Sequence, residues 1–171
     1  MKHFSTKQIT YTAVSCALVI ATSFIPPAPI PPFGNLYWCD CMIFLAAFLL
    51  NPFSAFIAGG VGTFLYDVIL GNAAMMFPSL IIHGLQAVVV SVLLHFVFPK
   101  KRKALWAAVS SIFGALIVIG GYFILRYYIN GYALAAAGYK AVANVIQEVV
   151  GISIALSIYC AASFKISRKE L

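Results

Sequence analysis

Six apolar segments, separated by short polar or proline-containing stretches, account for most of this 171-residue chain. Hydrophobic residues make up 63% of the sequence and charged residues only 9%, which is more apolar surface than a soluble domain of this size can bury. The segments lack the alternating pattern of a transmembrane barrel. They predict an all-α integral membrane protein in which residues 1–171 form a single six-transmembrane-helix bundle.

The helix boundaries are predicted from the residues that interrupt the apolar runs. Asn51 and Pro52 separate the second helix from the third, as a cap and a first-turn residue. Pro78 is expected to open the fourth helix and Pro99 to close it. The predicted helices cover about 7–25, 38–50, 52–70, 78–98, 104–129 and 141–164.

The basic residues predict the orientation of the bundle. With the N-terminus inside, only Arg126 and Lys140 fall on the outer side. Lys and Arg accumulate in cytoplasmic loops, so both termini are predicted to be cytoplasmic and the net charge of +7 reflects topology, not nucleic-acid binding. Nine of the eleven basic residues then lie on the inner side: Lys2, Lys7, Lys100, Lys101, Arg102, Lys103, Lys165, Arg168 and Lys169.

Three of the four acidic residues fall on the outer side of this topology, and the fourth, Glu170, lies in the C-terminal tail. Carboxylates are costly inside a bilayer and usually mark a solute or ion site. Further polar residues on five of the helices fall at a similar depth, some of them three or four apart and hence on one helix face. Such convergence predicts a small-molecule site. The predicted substrate-binding side chains in the helices are Asp40, Asp67, His83, Gln86, Tyr122, Arg126, Asn144, Gln147 and Glu148.

Aromatic residues in the outer loops are expected to complete this site. Phe33, Tyr37, Trp38 and Tyr132 would stack on or cover a flat heterocycle, and Tyr37 and Trp38 are included among the predicted substrate-binding residues. The same rings are also typical of a membrane-interface belt.

A structural role is the alternative for the polar residues. Arg126 would pair with Glu148 or Asp67, and Asp40 would simply cap the second helix.

The sequence offers little for enzymatic chemistry. It has no phosphate-binding P-loop, no nucleophile elbow and no H-E-x-x-H metal pair. His83 and His95 have no evident third ligand, and Cys39-x-Cys41 has no second pair. We therefore expect a protein that is not an enzyme, with no metal and no cofactor.

Several segments resemble the S components of energy-coupling factor (ECF) vitamin transporters. They are DCMIFLAAFLLNP from Asp40, IAGGVG from Ile57, and FPSLIIHGLQ from Phe77. Ala13-x-x-x-Ala17 is similar to the alanine motif by which these subunits dock to their membrane partner. Cys39, His83 and Gln86 depart from the commonest pattern, in which Gly, Lys and Glu stand.

The resemblance implies a binding subunit in the cytoplasmic membrane of a prokaryote. It would capture a water-soluble vitamin or precursor from outside. Hydroxymethylpyrimidine and pyridoxine are the favoured substrates, and riboflavin, pantothenate and thiamin are the alternatives. Its partners would be a transmembrane coupling (T) subunit, which docks on Ala13, Ala17 and Ala21, and two ATP-binding-cassette ATPases. An alternative of another class is a self-sufficient proton-coupled carrier with Glu148 or Asp67 as the relay.

Overall fold

Six helices and one short hairpin make up the described part of the chain. The computed structural model describes residues 5–99 and 103–167, the last five of these as backbone only. The hairpin strands, β1 (Ala28–Ile30) and β2 (Gly34–Leu36), pair antiparallel between the first two helices. The helices are α1 (Thr6–Ser23), α2 (Cys39–Leu49), α3 (Pro52–Ile69), α4 (Ala73–Val97), α5 (Lys103–Ile129) and α6 (Leu134–Ser167).

The helical architecture was predictable, and four of the helices are long and apolar enough to cross a membrane. These are α3 to α6, of which α6 qualifies over Leu134–Ala162. The 11 residues of α2 reach only about 16 Å along the helix axis. The number of six membrane crossings therefore stays a prediction. The four long apolar helices agree with the prediction of a helical multi-pass membrane protein.

Local sequence signals explain where two helices begin. At α1, the Ser5 hydroxyl accepts a bond from the Gln8 backbone N–H at 3.3 Å, and the Gln8 side chain accepts one from the Ser5 N–H at 3.1 Å. At α3, the Asn51 side chain accepts a bond from the Ser54 N–H at 3.0 Å and Pro52 occupies the first turn. The predicted Asn-Pro start of the third helix is confirmed.

Two helices begin earlier than predicted. Pro78 does not open α4 but lies inside it, five residues after Ala73. The α6 helix starts at Leu134, within the segment expected to be a loop. In both places the added residues, AAMM and LAAA, are strong helix formers. In α4 their preference outweighs the one backbone bond that Pro78 removes.

The short helix α2 lies at the centre of the bundle, where it packs against α1, α4 and α6. Its Ile43, Phe44 and Ala47 side chains are fully buried. Further along, Phe48 packs against Tyr159 of α6 with ring centroids 5.4 Å apart. The half of the core away from the hairpin is therefore filled mainly by apolar side chains, with a few buried serine hydroxyls that bond to backbone carbonyls. We call the opposite end, formed by the hairpin and residues 70–72 and 130–133, the hairpin end.

A π-helical turn, Ile57–Val61, interrupts α3 near its middle and brings two glycines against α4. A Cβ atom on Gly60 would lie 2.6 Å from the Leu80 carbonyl oxygen and 3.0 Å from the Gly84 Cα. Both neighbours are backbone atoms that cannot rotate away. Glycine at position 60 thus sets the close approach of α3 to α4.

We expect Gly60→Ala to destabilise the fold by about 1–3 kcal/mol, because the added methyl group forces the two helix backbones apart. The measurement is thermal unfolding of the purified protein in detergent. Gly120→Ala on α5 is the matched control, since no neighbouring atom lies within 4 Å of a Cβ there. Equal melting temperatures for the two variants would contradict the packing argument.

Candidate functional site

A polar cavity of about 400 Å³ opens at the hairpin end. Its wall combines the hairpin loop with side chains from α3, α4, α5 and α6. Ser79 and His83 lie one turn apart on α4 and both face the cavity, as do Tyr122 and Arg126 on α5. The predicted site residues that line it are Tyr37, Asp67, His83, Tyr122, Arg126, Asn144 and Gln147, together with the loop residue Tyr132.

Three predicted residues lie beneath the cavity and not in its wall. Asp40 and Gln86 have no exposed surface and Glu148 is 1% exposed. The Gln86 Nε2 donates to Glu148 Oε2 at 3.1 Å, and the Gln86 Oε1 lies 3.0 Å from the Nδ1 of His83. His83 therefore joins the cavity to a buried polar layer.

Gln147 connects α6 to both α2 and the loop that leads from β2 into α2. Its Nε2 donates to Asp40 Oδ2, and its Oε1 accepts a bond from the Tyr37 backbone N–H at 2.9 Å. Asp40 does not cap α2, because Trp38 is the N-cap and no side chain bonds to the first-turn amides. The capping interpretation of Asp40 is wrong, and its carboxylate instead fixes the position of α6.

Arg126 does not form the ion pair that the structural alternative required. Within the described residues it has no carboxylate oxygen within 4 Å, and its guanidinium carbon lies 5.2 Å from the centre of the Tyr122 ring. Its Nη1 is buried without a hydrogen-bond partner, and so is the Nδ2 of Asn144. Buried donors are rarely left unpaired in proteins, so two of them at one cavity indicate a place where a ligand supplies the acceptors.

Asp67 also faces the cavity, and its Oδ1 accepts a bond from the Asn72 side chain at 3.0 Å. The wall thus presents carboxylate, amide, phenol and guanidinium groups within one small volume. Among the residues for which side chains are described, no three His, Cys, Asp or Glu side chains converge as a metal site would require. The arrangement is suited to directional hydrogen bonding of a polar ring.

The loop aromatics divide into two pairs. Tyr37 and Tyr132 line the cavity as expected. Phe33 packs instead on Tyr139 of α6, with ring centroids 5.9 Å apart, and the Trp38 indole N–H donates to the Pro26 carbonyl at 3.1 Å. Neither Phe33 nor Trp38 is in the cavity wall, because each is used to hold the loop in place.

Several residues of the cavity wall were not predicted from the sequence. Ser79 lies four residues before His83, and that spacing was a usable signal for a shared helix face. Asn35 lies on β2, in a hairpin that the proline-rich sequence concealed. Lys140 was expected on the outer side, where its charge with that of Arg126 would suit an anion such as pantothenate, but it was not among the predicted site residues. It lies in the wall one turn before Asn144 on α6, in a stretch expected to be loop.

A second, apolar groove of about 540 Å³ runs between α1 and α3, away from the polar cavity. Ala13 and Ala17 line it together with Ile57. The Ala13, Ala17 and Ala21 side chains are exposed, whereas Thr12 and Val19 of α1 face the bundle. In the described chain the alanine stripe is therefore not part of the internal packing.

The helical bundle and its end-on polar cavity define a membrane protein that binds a small molecule. The chain belongs to the family described as "ECF-type riboflavin transporter, S component", which matches residues 3–163. S components are transport subunits, not enzymes. They bind vitamin-like molecules and work with a transmembrane coupling subunit and ATPase subunits.

Similar proteins come from bacteria and archaea. The chain is 32% identical over 157 residues to "Thiamine precursor transporter HmpT" of Lactococcus lactis subsp. cremoris, covering 91% of this chain and 87% of that protein. It is 31% identical over 137 residues to "Uncharacterized protein in gap 3'region" of Pyrococcus woesei, covering 80% and 88%. Its fold matches a solved S component of a bacterial ECF transporter with a TM-score of 0.70 and 17% identity, over 94% of this chain and 97% of that one.

Proposed function

We propose that this S component captures hydroxymethylpyrimidine, a thiamine precursor, from outside the cell for an ATP-driven importer in the cytoplasmic membrane of a prokaryote. Membership of the family establishes a role in the uptake of a vitamin or a vitamin precursor. The choice of a thiamine precursor is supported by the 32% identity to the Lactococcus protein. Pyridoxine, riboflavin, pantothenate and thiamin are the competing substrates.

The observation that carries the proposal is the pair of unpartnered donors in the polar cavity. Arg126 Nη1 and Asn144 Nδ2 need acceptors, and the ring nitrogens and hydroxyl oxygen of hydroxymethylpyrimidine provide them. The cavity volume of about 400 Å³ lies near the lower end of the range for ligand sites, about 300–1,000 Å³. That volume is sufficient for a single-ring ligand such as hydroxymethylpyrimidine.

The proposed topology places the hairpin end outside and both termini in the cytoplasm, with six crossings. Arg126 and Lys140 lie at the hairpin end, whereas Lys103 begins α5 at the opposite end. The 18 residues of α1 extend about 27 Å, close to the thickness of a hydrocarbon core, and α2 is enclosed by its neighbours. Cysteine accessibility labelling from either side of the membrane tests this orientation.

The buried charged and histidine side chains of the described residues favour binding over self-sufficient transport. Asp40, Asp67, His83 and Glu148 all lie in the hairpin half, and the core beyond them holds apolar side chains and serine hydroxyls. A proton-coupled carrier would need ionisable groups leading toward the other end. Purified chain in liposomes is expected to bind ligand without accumulating it, and accumulation that an uncoupler stops would support the carrier instead.

We expect Asn144→Leu to weaken binding of hydroxymethylpyrimidine about tenfold to a hundredfold, because a buried hydrogen bond to the ligand is lost. Isothermal titration of the purified protein measures this, with the four competing vitamins as a panel. Asn130→Leu, in an exposed turn outside the cavity, is the control and should bind as the wild type does. Tighter binding of another vitamin than of hydroxymethylpyrimidine would overturn the proposed substrate.

A further inference from the structure

A continuous chain of hydrogen bonds runs from the cavity wall to the buried carboxyl group of Glu148. The Ser79 hydroxyl lies 3.3 Å from the Tyr122 hydroxyl, which lies 3.1 Å from the Nε2 of His83. On the other side of the ring, Nδ1 lies 3.0 Å from the Oε1 of Gln86, whose Nε2 donates to Glu148 Oε2 at 3.1 Å. Four hydrogen bonds thus connect five side chains on α4, α5 and α6.

The contact with Glu148 sets the direction of the first two bonds. Its Oε2 accepts from the amide N–H of Gln86, so the carbonyl oxygen of Gln86 faces His83. The Oδ1 of Asp40 is a second acceptor 3.4 Å from the same ring nitrogen. With acceptors on both neighbours, the Nδ1 of His83 is the nitrogen that carries the proton.

The direction then continues to the cavity. In a neutral imidazole with a proton on Nδ1, Nε2 is an acceptor, and the phenol of Tyr122 donates its only proton to it. Ser79 must in turn donate to the Tyr122 oxygen, because that oxygen has no second proton to give. Every proton of the chain points inward. The cavity end therefore offers the ligand only the lone pairs of Ser79 and Tyr122.

We propose that Glu148 and Gln86 are positioning residues that hold His83 as the neutral Nδ1–H tautomer, so that this end of the cavity selects a ligand bearing a hydrogen-bond donor, such as the exocyclic amine of an aminopyrimidine. The identity of the ligand rests on the proposed function, whereas the direction of the hydrogen-bond chain does not. An analogue with an oxo group in place of the amine would bring an acceptor against acceptors. Neither side would then be satisfied, and a site built for one donor pattern discriminates strongly against the other.

Binding measurements with two ligands test the selectivity. The wild type is expected to bind hydroxymethylpyrimidine at least about tenfold more tightly than its oxo analogue. Glu148→Gln keeps the shape of the side chain but no longer dictates which way Gln86 turns, so this preference should fall about tenfold. Ser91→Ala is the control, because it removes a buried hydrogen bond to the Leu50 carbonyl outside both the cavity and this chain of hydrogen bonds, and it should leave the ratio of the two affinities as it was.

Nitrogen-15 NMR of the His83 ring tests the tautomer without any ligand. The wild type is expected to show a protonated Nδ1 and a bare Nε2, with the resonances assigned by their loss in His83→Asn. Glu148→Gln should shift the ring toward a mixture of tautomers. A purely structural role for Glu148 would not move these resonances.

Three results would overturn the inference: an imidazolium or an Nε2–H tautomer in the wild type, a wild type that prefers the oxo analogue, or an unchanged affinity ratio in Glu148→Gln. A wild type that binds neither pyrimidine would overturn the proposed function alone, and the NMR measurement would still decide the direction of the chain.

Discussion

Ala13→Trp is expected to abolish vitamin uptake while leaving ligand binding as in the wild type. Ala13 lines the groove between α1 and α3, where the absence of a large side chain leaves room for a partner helix. An indole ring would fill that room and prevent the close approach that small residues allow in a membrane. The polar cavity lies elsewhere in the bundle, so its contacts are untouched. Ala17→Trp is expected to behave in the same way.

The test combines two measurements on each variant. Uptake is measured in cells that also produce the coupling subunit and both ATPases, and affinity is measured on the purified chain. Val14→Trp is the matched control, since Val14 is an exposed residue of the same helix that does not line the groove. Loss of both binding and folding in Ala13→Trp would contradict the docking role, as would equal loss of uptake in Val14→Trp.

Gln147→Leu is expected to cause the largest loss of stability in the polar layer, about 1–3 kcal/mol, together with loss of ligand binding. The substitution leaves the carboxylate of Asp40, which has no exposed surface, without its amide donor. It also leaves the Tyr37 N–H unpaired and releases the hairpin loop from α6. Unfolding in a denaturing detergent series and titration with ligand would measure the two effects.

A double variant separates the cost of the unpaired charge from the cost of lost packing. Asp40→Leu combined with Gln147→Leu removes both partners, and its stability should exceed that of Gln147→Leu alone. The contrary outcome is a loss of stability in the double variant that equals the sum of the losses measured for Gln147→Leu and Asp40→Leu singly. In that case the bond between Asp40 and Gln147 does not account for the effect, and the unpaired carboxylate oxygen is not the cause of the instability.

Spacing along a helix predicted which side chains share a face, but it could not predict which of them reach the cavity. His83 and Gln86 are three residues apart on α4, yet His83 is in the wall and Gln86 lies under it. On α6, Gln147 lines the cavity and the next residue, Glu148, points into the core, because successive residues are about 100° apart. Whether a polar residue lies in the wall or beneath it depends on how each helix is rotated relative to its neighbours. The sequence of one helix does not determine that rotation.

Loops were less predictable than helices for a related reason. The prolines between positions 26 and 32 indicated a stiff segment, but the pairing of β1 with β2 depends on contacts with α6. Phe33 and Trp38 were expected to cover a ligand because they are aromatic, and the structure uses them to anchor the loop. Residue type alone does not distinguish a ring that faces a cavity from one that packs beside it.

The wide turn within α3 fixes chain length as well as glycine at position 60 in that segment. On one side of Ile57–Val61, Phe53 and Ser54 contribute to the apolar groove, and on the other, Thr63 and Asp67 contribute to the polar cavity. Losing one residue there would swing one half of the helix by about 100° relative to the other. An insertion or deletion at the midpoint of α3 would therefore separate the two surfaces that a single helix now serves.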